Sequence, residues 1–342
     1  MKTVMSQVGI IVNPHAGKDI RRLSTPATHT SDVTKVGIVQ RAMVAALETG
    51  VDRILVMPDT HRLGERAAQG LGDRIQLMDQ QLSGSRWDTV IAARSMKSEH
   101  VGAIIALGGD GTARDVALGW PEVPLVAIST GTNNIFPTAV DGTSAGAACA
   151  LVAQNIVDLS EVARPSKRIV VIIDDHNGTD EDVALVDLAV VSGQFTGTRA
   201  VQDPSSIKEV FAAIATPVGS GLSGIAGRLH PVLRHEPGGV RVIMGPGGSQ
   251  VRVPLAPGAF TTLHVAEVQC LTDGQNVTIP GGSILAFDGE RDRLTTQDAL
   301  ITVRIDWLGP RLIDVEATLV QAARRGLFIE PIKSIVRSSH GH

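Results

Sequence analysis

Tyrosine is missing altogether from this 342-residue sequence, and aromatic residues amount to 3% of it, a scarcity that points to no function of its own. Cysteine is almost absent too. Cys149 and Cys270, far apart in sequence, fit a reducing compartment better than a disulfide framework, and both are expected to be buried apolar residues. Neither sign of charge dominates: 31 Lys and Arg face 35 Asp and Glu, for a formal net charge of −4. Without a basic run to track a phosphate backbone, no nucleic-acid partner is expected. No stretch approaches the ~18 uninterrupted apolar residues of a membrane span. The opening MKTVMSQVGIIVNPHAGK ends its short apolar run in Asn-Pro rather than in a signal-peptide cleavage site. A cytoplasmic protein with no membrane partner is the expectation.

What is present is a 43% hydrophobic fraction in a chain long enough for two cores, so two domains are expected. Runs rich in Val, Ile and Leu at 8–14, 52–58, 74–79, 101–109 and 124–130 alternate with helix-like segments at 35–50 and 85–100, where apolar positions return every three or four residues. Continuous apolar strands predict burial on both faces, hence a Rossmann-like parallel α/β domain with helices over the sheet. Near residue 165 the segments shorten and turn signals multiply (HNG, PGG, GPGG, TDG), which predicts a mostly β domain. One helix is expected inside it, at PSSIKEVFAAIA (204–215), and RRLSTPATHTSDVT (21–34) reads as a polar surface loop. The division is 1–164 for the α/β domain, 165–320 for the β-rich domain, and 321–342 for a terminal segment packing back on the first domain.

Ligands of open parallel sheets sit beyond the carboxyl ends of the strands. Three such ends here are polar or glycine-rich, NPHAGK, GGDGT and STGTNNIF, and all can face one crevice. Gly108 and Gly109 close a strand and Thr112 opens a helix, so free N–H groups and the positive end of a helix dipole await an anion, best a phosphate. The spacing is not that of a dinucleotide fingerprint, and a Walker A lysine is lacking. Asp110 in this loop suits two jobs: capping the helix, or serving phosphoryl transfer by holding Mg²⁺ or taking the proton of an attacking hydroxyl. Other residues carry paired readings as well. Asn133 and Asn134 suit nucleotide edges or the cap of a helix beginning near Phe136. Asp288 and Glu290 flank Gly289 in what can be a plain turn, and Lys18 suits a phosphate or solvent. DDHNGTDEDV (174–183) gathers five carboxylates, but it reads as a solvated hairpin tip without a metal, and His230 reads as structural.

Together, NPHAGK (13–18), GGDGTARD (108–115), TGTNNIF (130–136), ATPVGSGLSGIAGRLHP (215–231) and LAFDGERD (285–292) resemble the NAD kinase and diacylglycerol kinase superfamily, with the ATP-NAD kinase-like acetoin-catabolism protein X branch as the nearest likeness. The resemblance covers residues 8 to about 300. It implies an α/β domain joined to a β-sandwich, an active site in the cleft between them, ATP as phosphate donor, Mg²⁺ as cofactor, and homodimers or homotetramers. It assigns catalysis to Asp110, Asp288 and Glu290, with Asp110 and Asp288 as possible Mg²⁺ ligands. It assigns nucleotide binding to Asn13, Gly108, Gly109, Gly111, Thr112, Thr132, Asn133, Asn134, Asp187, Thr216, Gly219 and Ser220.

The departures bear on the acceptor. NAD kinases grip the dinucleotide with an Asn-Glu pair where this sequence has Val186 and Asp187, and valine offers no donor. The Thr-Ala-Tyr that completes the NAD kinase loop is Gly-Leu-Ser here (221–223). The expected activity is an ATP- and Mg²⁺-dependent kinase acting on a hydroxyl of NAD or of another small soluble molecule. The alternatives are a degenerate nucleotide-binding sensor and a lipid kinase.

Overall fold

The computed structural model describes residues 5–16, 30–131, 134–192, 204–256 and 258–329; the side chains of residues 290–292 also lie outside the description. The first part of the chain runs β1 (Gln7–Val12), α1 (Asp32–Glu48), β2 (Arg53–Val56), α2 (Leu63–Ala68), β3 (Ile75–Leu77), α3 (Trp87–Ser98), β4 (Ala103–Gly108), α4 (Asp110–Gly119), β5 (Pro124–Ser129), α5 (Gly142–Ala153) and α6 (Leu159–Val162). It continues through β6 (Ala163–Pro165), β7 (Arg168–Asp175), β8 (Gly178–Ala184), β9 (Asp187–Val191), β10 (Ile207–Ala212), α7 (Leu222–Leu229), β11 (Gly239–Ala256) and β12 (Ala259–Leu271). The last elements are β13 (Val277–Pro280), β14 (Ile284–Phe287), β15 (Glu290–Leu294), β16 (Leu300–Asp306), β17 (Arg311–Ile313) and α8 (Val315–Arg324).

Seven strands form the first sheet in the order β3-β2-β1-β4-β5-β17-β6, parallel throughout except for β6. Every residue of β1 and β4 is buried, as the continuous apolar runs require. Their side chains alternate between two cores. Val8, Ile10, Val12, Ile105 and Leu107 pack with α1 and α5, while Ile11, Ile104 and Ala106 pack with α3 and α4. Chain order reverses between β1 and β4, and that switch point opens a crevice beyond their carboxyl ends. The last strand and helix return to this sheet: β17 pairs with β5, and α8 packs on α5 and α6.

The β part is a sandwich. A six-stranded antiparallel sheet, β12-β11-β10-β9-β14-β15, faces a four-stranded one, β13-β16-β7-β8. Ile169, Val171, Ile301 and Val303 from the smaller sheet meet Leu188, Phe211, Leu285 and Phe287 from the larger one. The other face of the larger sheet is covered by α7 through Ile225 and Ala226. Among the described residues, no helix is long and apolar enough to cross a membrane.

Five expectations need correction. The helix expected at 204–215 is strand β10, hydrogen-bonded between β9 and β11. Val210 and Ala212 enter one core and Phe211 and Ala213 the other, so a strand buried on both faces loses its alternation and reads like a helix. The polar loop expected at 21–34 already contains the first turn of α1, whose cap Ser31 accepts the Thr34 N–H; residues 17–29, with Lys18, lie outside the described residues. Cys149 is buried, but Cys270 is exposed on β12, a strand at the edge of its sheet. No helix starts near Phe136; the chain instead bridges Thr138 to Ile128, and α5 begins at Gly142 behind its cap Asp141. The acidic segment 174–183 does form the β7–β8 hairpin, but Asp182 is buried rather than solvated.

Candidate active site

Three strand-end segments of the first sheet converge at the switch point. Asn13, just past β1, donates from Nδ2 to Thr112 Oγ1 on α4 (2.9 Å), while its own Oδ1 accepts the His15 and Ala16 N–H groups. Lys35 is fully buried on α1 and clamps this turn from below, donating to the carbonyls of Asn13 (3.3 Å), Pro14 (2.9 Å) and Ala16 (2.7 Å). Thr112 is buried so close to Gly108 that a Cβ there would lie 2.4 Å from its Oγ1, which is why the loop needs glycine at 108. Asn134, past β5, donates to Ser129 Oγ (2.8 Å) and its Oδ1 lies against Gly109. Above Gly111 the space is open. Thr132 and Asn133 lie outside the described residues.

Asp110 is the first residue of α4, with Gly109 as the N-cap, and no side chain caps that helix end. The capping reading of Asp110 is therefore overturned. Its carboxylate turns instead to the loop after β5, accepting the N–H of Phe136 (2.8 Å) and of Ile135 (3.1 Å).

Asp288 does the equivalent in the β part. It and Gly289 form a two-residue hairpin between β14 and β15, with φ of +48° and +82°, the left-handed geometry that an Asp-Gly pair favours. Its carboxylate accepts three successive N–H groups, from Leu185 (3.1 Å), Val186 (2.8 Å) and Asp187 (3.2 Å). Glu290 follows on β15, with its side chain outside the description.

Both residues keep part of their surface open to solvent, yet protein atoms crowd the carboxylates. Burial first, and the Asp288 charge second, push the Asp110 carboxyl up to about 7, against the Phe136 and Ile135 amides and Arg234. Burial likewise pushes Asp288 up to about 6, opposed first by Arg114 and then by its three amides. The Asp288 charge thus bears on Asp110.

Neither arginine was assigned a role from the sequence. Arg114 stands one turn beyond Asp110 on α4 and is almost fully buried. It donates to the Val183 carbonyl (2.7 Å) and to Asp182 (2.8 Å), and it lies 4.3 Å over the Phe287 ring. Arg234 comes from the β part and donates from Nη2 to the carbonyls of Ile135 (2.6 Å) and Phe136 (2.8 Å). Each carboxylate cradle is therefore braced by an arginine from the opposite part of the molecule. GGDGTARD carried Arg114 in plain view, but spacing alone does not say that a helix residue reaches a distant strand.

The remaining candidates are less central. The Val186 side chain is buried in the apolar core under α3 and α4. The carboxylate of buried Asp187 accepts the Ser223 N–H (3.1 Å), holding the start of α7. Thr216 donates its N–H to Ser223 Oγ (3.4 Å), and a Cβ on Gly219 would lie 2.7 Å from Ile135 Cδ1, so the 216–220 loop with Ser220 abuts the segment that holds Asp110. His230 sits 3.3 Å from the Cys270 sulfur.

The residues fit a divalent cation that arrives with its own ligands. Among the described residues, Oδ2 of Asp110 takes only the Ile135 N–H (3.2 Å) and Oδ2 of Asp288 only the Leu185 N–H (3.1 Å), so each keeps a lone pair for a cation. No cluster of three or more His, Cys, Asp or Glu is present among them. That pattern suits Mg²⁺, which keeps waters and phosphate oxygens and takes one or two carboxylates.

Residues 8–156 match the ATP-NAD kinase N-terminal domain, and residues 167–307 match the acetoin catabolism protein X C-terminal domain. The chain is 36% identical over 334 residues to an acetoin catabolism protein X of Cupriavidus necator, covering 94% of this chain and 93% of that one. In fold it resembles a yeast NADH kinase complexed with NADH, at a TM-score of 0.52 and 15% identity over 97% of this chain and 91% of that chain. A putative diacylglycerol kinase from Bacillus anthracis aligns at a TM-score of 0.43 and 16% identity over 91% of this chain and 99% of the other. The chain belongs to the acetoin catabolism protein X family, an NAD kinase fold whose amino-terminal half is an ATP-NAD kinase domain.

Proposed function

We propose that the protein is a kinase that transfers the terminal phosphoryl group of ATP to a hydroxyl of NAD or of another small soluble molecule, with Mg²⁺ as cofactor. The observation that supports this most is the pairing of Asp110 and Asp288, two enclosed carboxylates brought together from the two halves, each pinned by backbone amides. Bare carboxylates beside a phosphate loop repel the ligand unless they serve a cation or a proton. Mg²⁺ held by Asp110 and Asp288 would neutralise charge on the triphosphate. The glycine loop at 108–111 offers N–H groups and a helix N-terminus to the phosphates. The acceptor oxygen bonds to the γ-phosphorus as the bridging bond to the β-phosphate breaks, and ADP leaves. Where Asp288 takes the Mg²⁺, Asp110 is left to take the acceptor's proton, and burial raises its carboxyl to about 7, in the range of a general base at neutral pH.

Val186 and Asp187 favour a small alcohol over NAD, because one side chain is buried in the core and the other already holds α7. The same two positions support the second reading, a nucleotide sensor without turnover. The deciding experiment is NADP formation from ATP, Mg²⁺ and NAD, followed by ADP release with a panel of small alcohols, each beside Asp110→Asn. Turnover that falls about 10²- to 10⁴-fold in the variant supports the kinase; ATP binding with no ADP release from any acceptor supports the sensor. The reading also includes a cytoplasmic homodimer or homotetramer, which fractionation and sedimentation test, and vesicle sedimentation tests the lipid-kinase alternative.

A further inference from the structure

Among the described residues, four arginines withdrawn from solvent sit on carboxylates: Arg86 on Asp115, Arg114 on Asp182, Arg168 on Asp306 and Arg241 on Glu209, at 2.8 Å each. Arg234 differs from these four. It is half-buried, and among the described residues it makes no ion pair. Only Nη2 is engaged, by the Ile135 and Phe136 carbonyls, while Nε and Nη1 have no protein partner there. The group is nonetheless firmly placed, with its guanidinium 5.2 Å over the ring of fully buried Phe136.

A cation partly removed from water without a counter-ion is costly. The charge of Asp110 acts on it and favours its charged form against burial, although the two form no direct pair. Asp110 is also the first residue of α4, whose N-terminus carries no side-chain cap. The guanidinium of Arg234 and the N-terminus of α4 thus both bear on the one Asp110 carboxylate.

We propose that Arg234 is an anion-binding residue of the cleft, holding a phosphate oxygen of the substrate through its uncommitted Nε and Nη1 donors. The planar fork of a guanidinium matches a phosphate as it does a carboxylate. That the anion is a phosphate rests on the phosphoryl-transfer reading above; that an anion belongs there rests on the geometry alone. Because Arg234 also grips the 135–136 segment whose amides hold Asp110, an anion on it contacts the group that fixes the base.

Calorimetric titration of the full chain tests this with three probes, ATP, adenosine and pyrophosphate, on wild type, Arg234→Met, Arg234→Lys and the surface control Arg94→Met. ATP and pyrophosphate should bind about 10- to 100-fold more weakly to Arg234→Met, the usual worth of a charge-assisted hydrogen bond, with adenosine and Arg94→Met unchanged. If Arg234→Met fails to fold, Arg234→Lys carries the test, since it keeps the charge and loses the fork; weaker ATP binding with unchanged adenosine is again expected. Equal losses for ATP and adenosine, or no loss, overturn the proposal. Wild type that binds pyrophosphate through Arg234 but never ATP leaves the anion site standing and removes the kinase reading. Wild type that binds neither phosphate probe overturns the site.

Discussion

Arg114 donates to Asp182 at 2.8 Å, one residue on the helix that starts at Asp110 and the other on the strand before the amides that hold Asp288. Arg86 adds to the cluster, 2.8 Å from Asp115 and 3.9 Å from Asp182. The position of one carboxylate relative to the other is thereby tied to a buried ion network rather than left to a flexible junction.

Cutting that network is expected to be severe. Arg114→Met leaves Asp182 without its closest cation and removes the cation from the Phe287 ring. Loss of one member of a buried ion pair costs about 3–5 kcal/mol. Urea unfolding of Arg114→Met should show that loss, while the double variant Arg114→Met/Asp182→Leu recovers part of it. A destabilisation within error of zero for the single variant would remove the brace from the account.

The two carboxylates give stability a distinctive pH dependence. Asp110 and Asp288 are raised from 3.8 to about 7 and about 6, so between those values the folded chain binds more protons than the unfolded one. Their contribution is therefore fully present below about pH 4 and lost as pH rises towards 7. Holding Asp110 charged costs roughly 4 kcal/mol by this measure. Without ligand, Asp110→Asn should gain stability relative to wild type between pH 5 and pH 8. Parallel curves for the two proteins in urea titrations across that range would contradict the raised value.

At Asp288, backbone and charge can be separated. Asparagine tolerates φ near +48° and keeps the hairpin, so Asp288→Asn should fold as wild type does and lose at least about 100-fold in turnover. Asp288→Val should in addition lose about 1–3 kcal/mol of stability, because a β-branched residue is strained there. Equal melting temperatures for the two variants would show that the turn tolerates both.

Lys35 offers a test of the loop beneath the phosphates. Replacing it with Met leaves the Asn13, Pro14 and Ala16 carbonyls without its ammonium, at about 1–3 kcal/mol for a buried group left unmatched. Lower stability together with weaker ATP binding is expected. Lower stability with ATP affinity intact would detach the NPHAGK turn from the nucleotide.

The sequence by itself determined most of the first sheet. β1 and β4 are apolar along their whole length because both faces are covered, and such runs, with helices between them, are legible residue by residue. It also put Asp110 forward through its glycine-rich strand-end loop, and Asp288 through the likeness of LAFDGERD to a kinase motif. Strand β10 was illegible for the same reason that β1 was legible: burial on both faces erases alternation, and only the hydrogen bonds to β9 and β11 settle its form. Cys270 faces solvent because β12 closes an edge, a matter of sheet order that composition does not encode. The arginine braces and the amides around each carboxylate lie on segments far apart in the chain. Packing alone decided which guanidinium meets which carbonyl, and so that Arg234 rests on the Ile135 and Phe136 carbonyls rather than on a carboxylate.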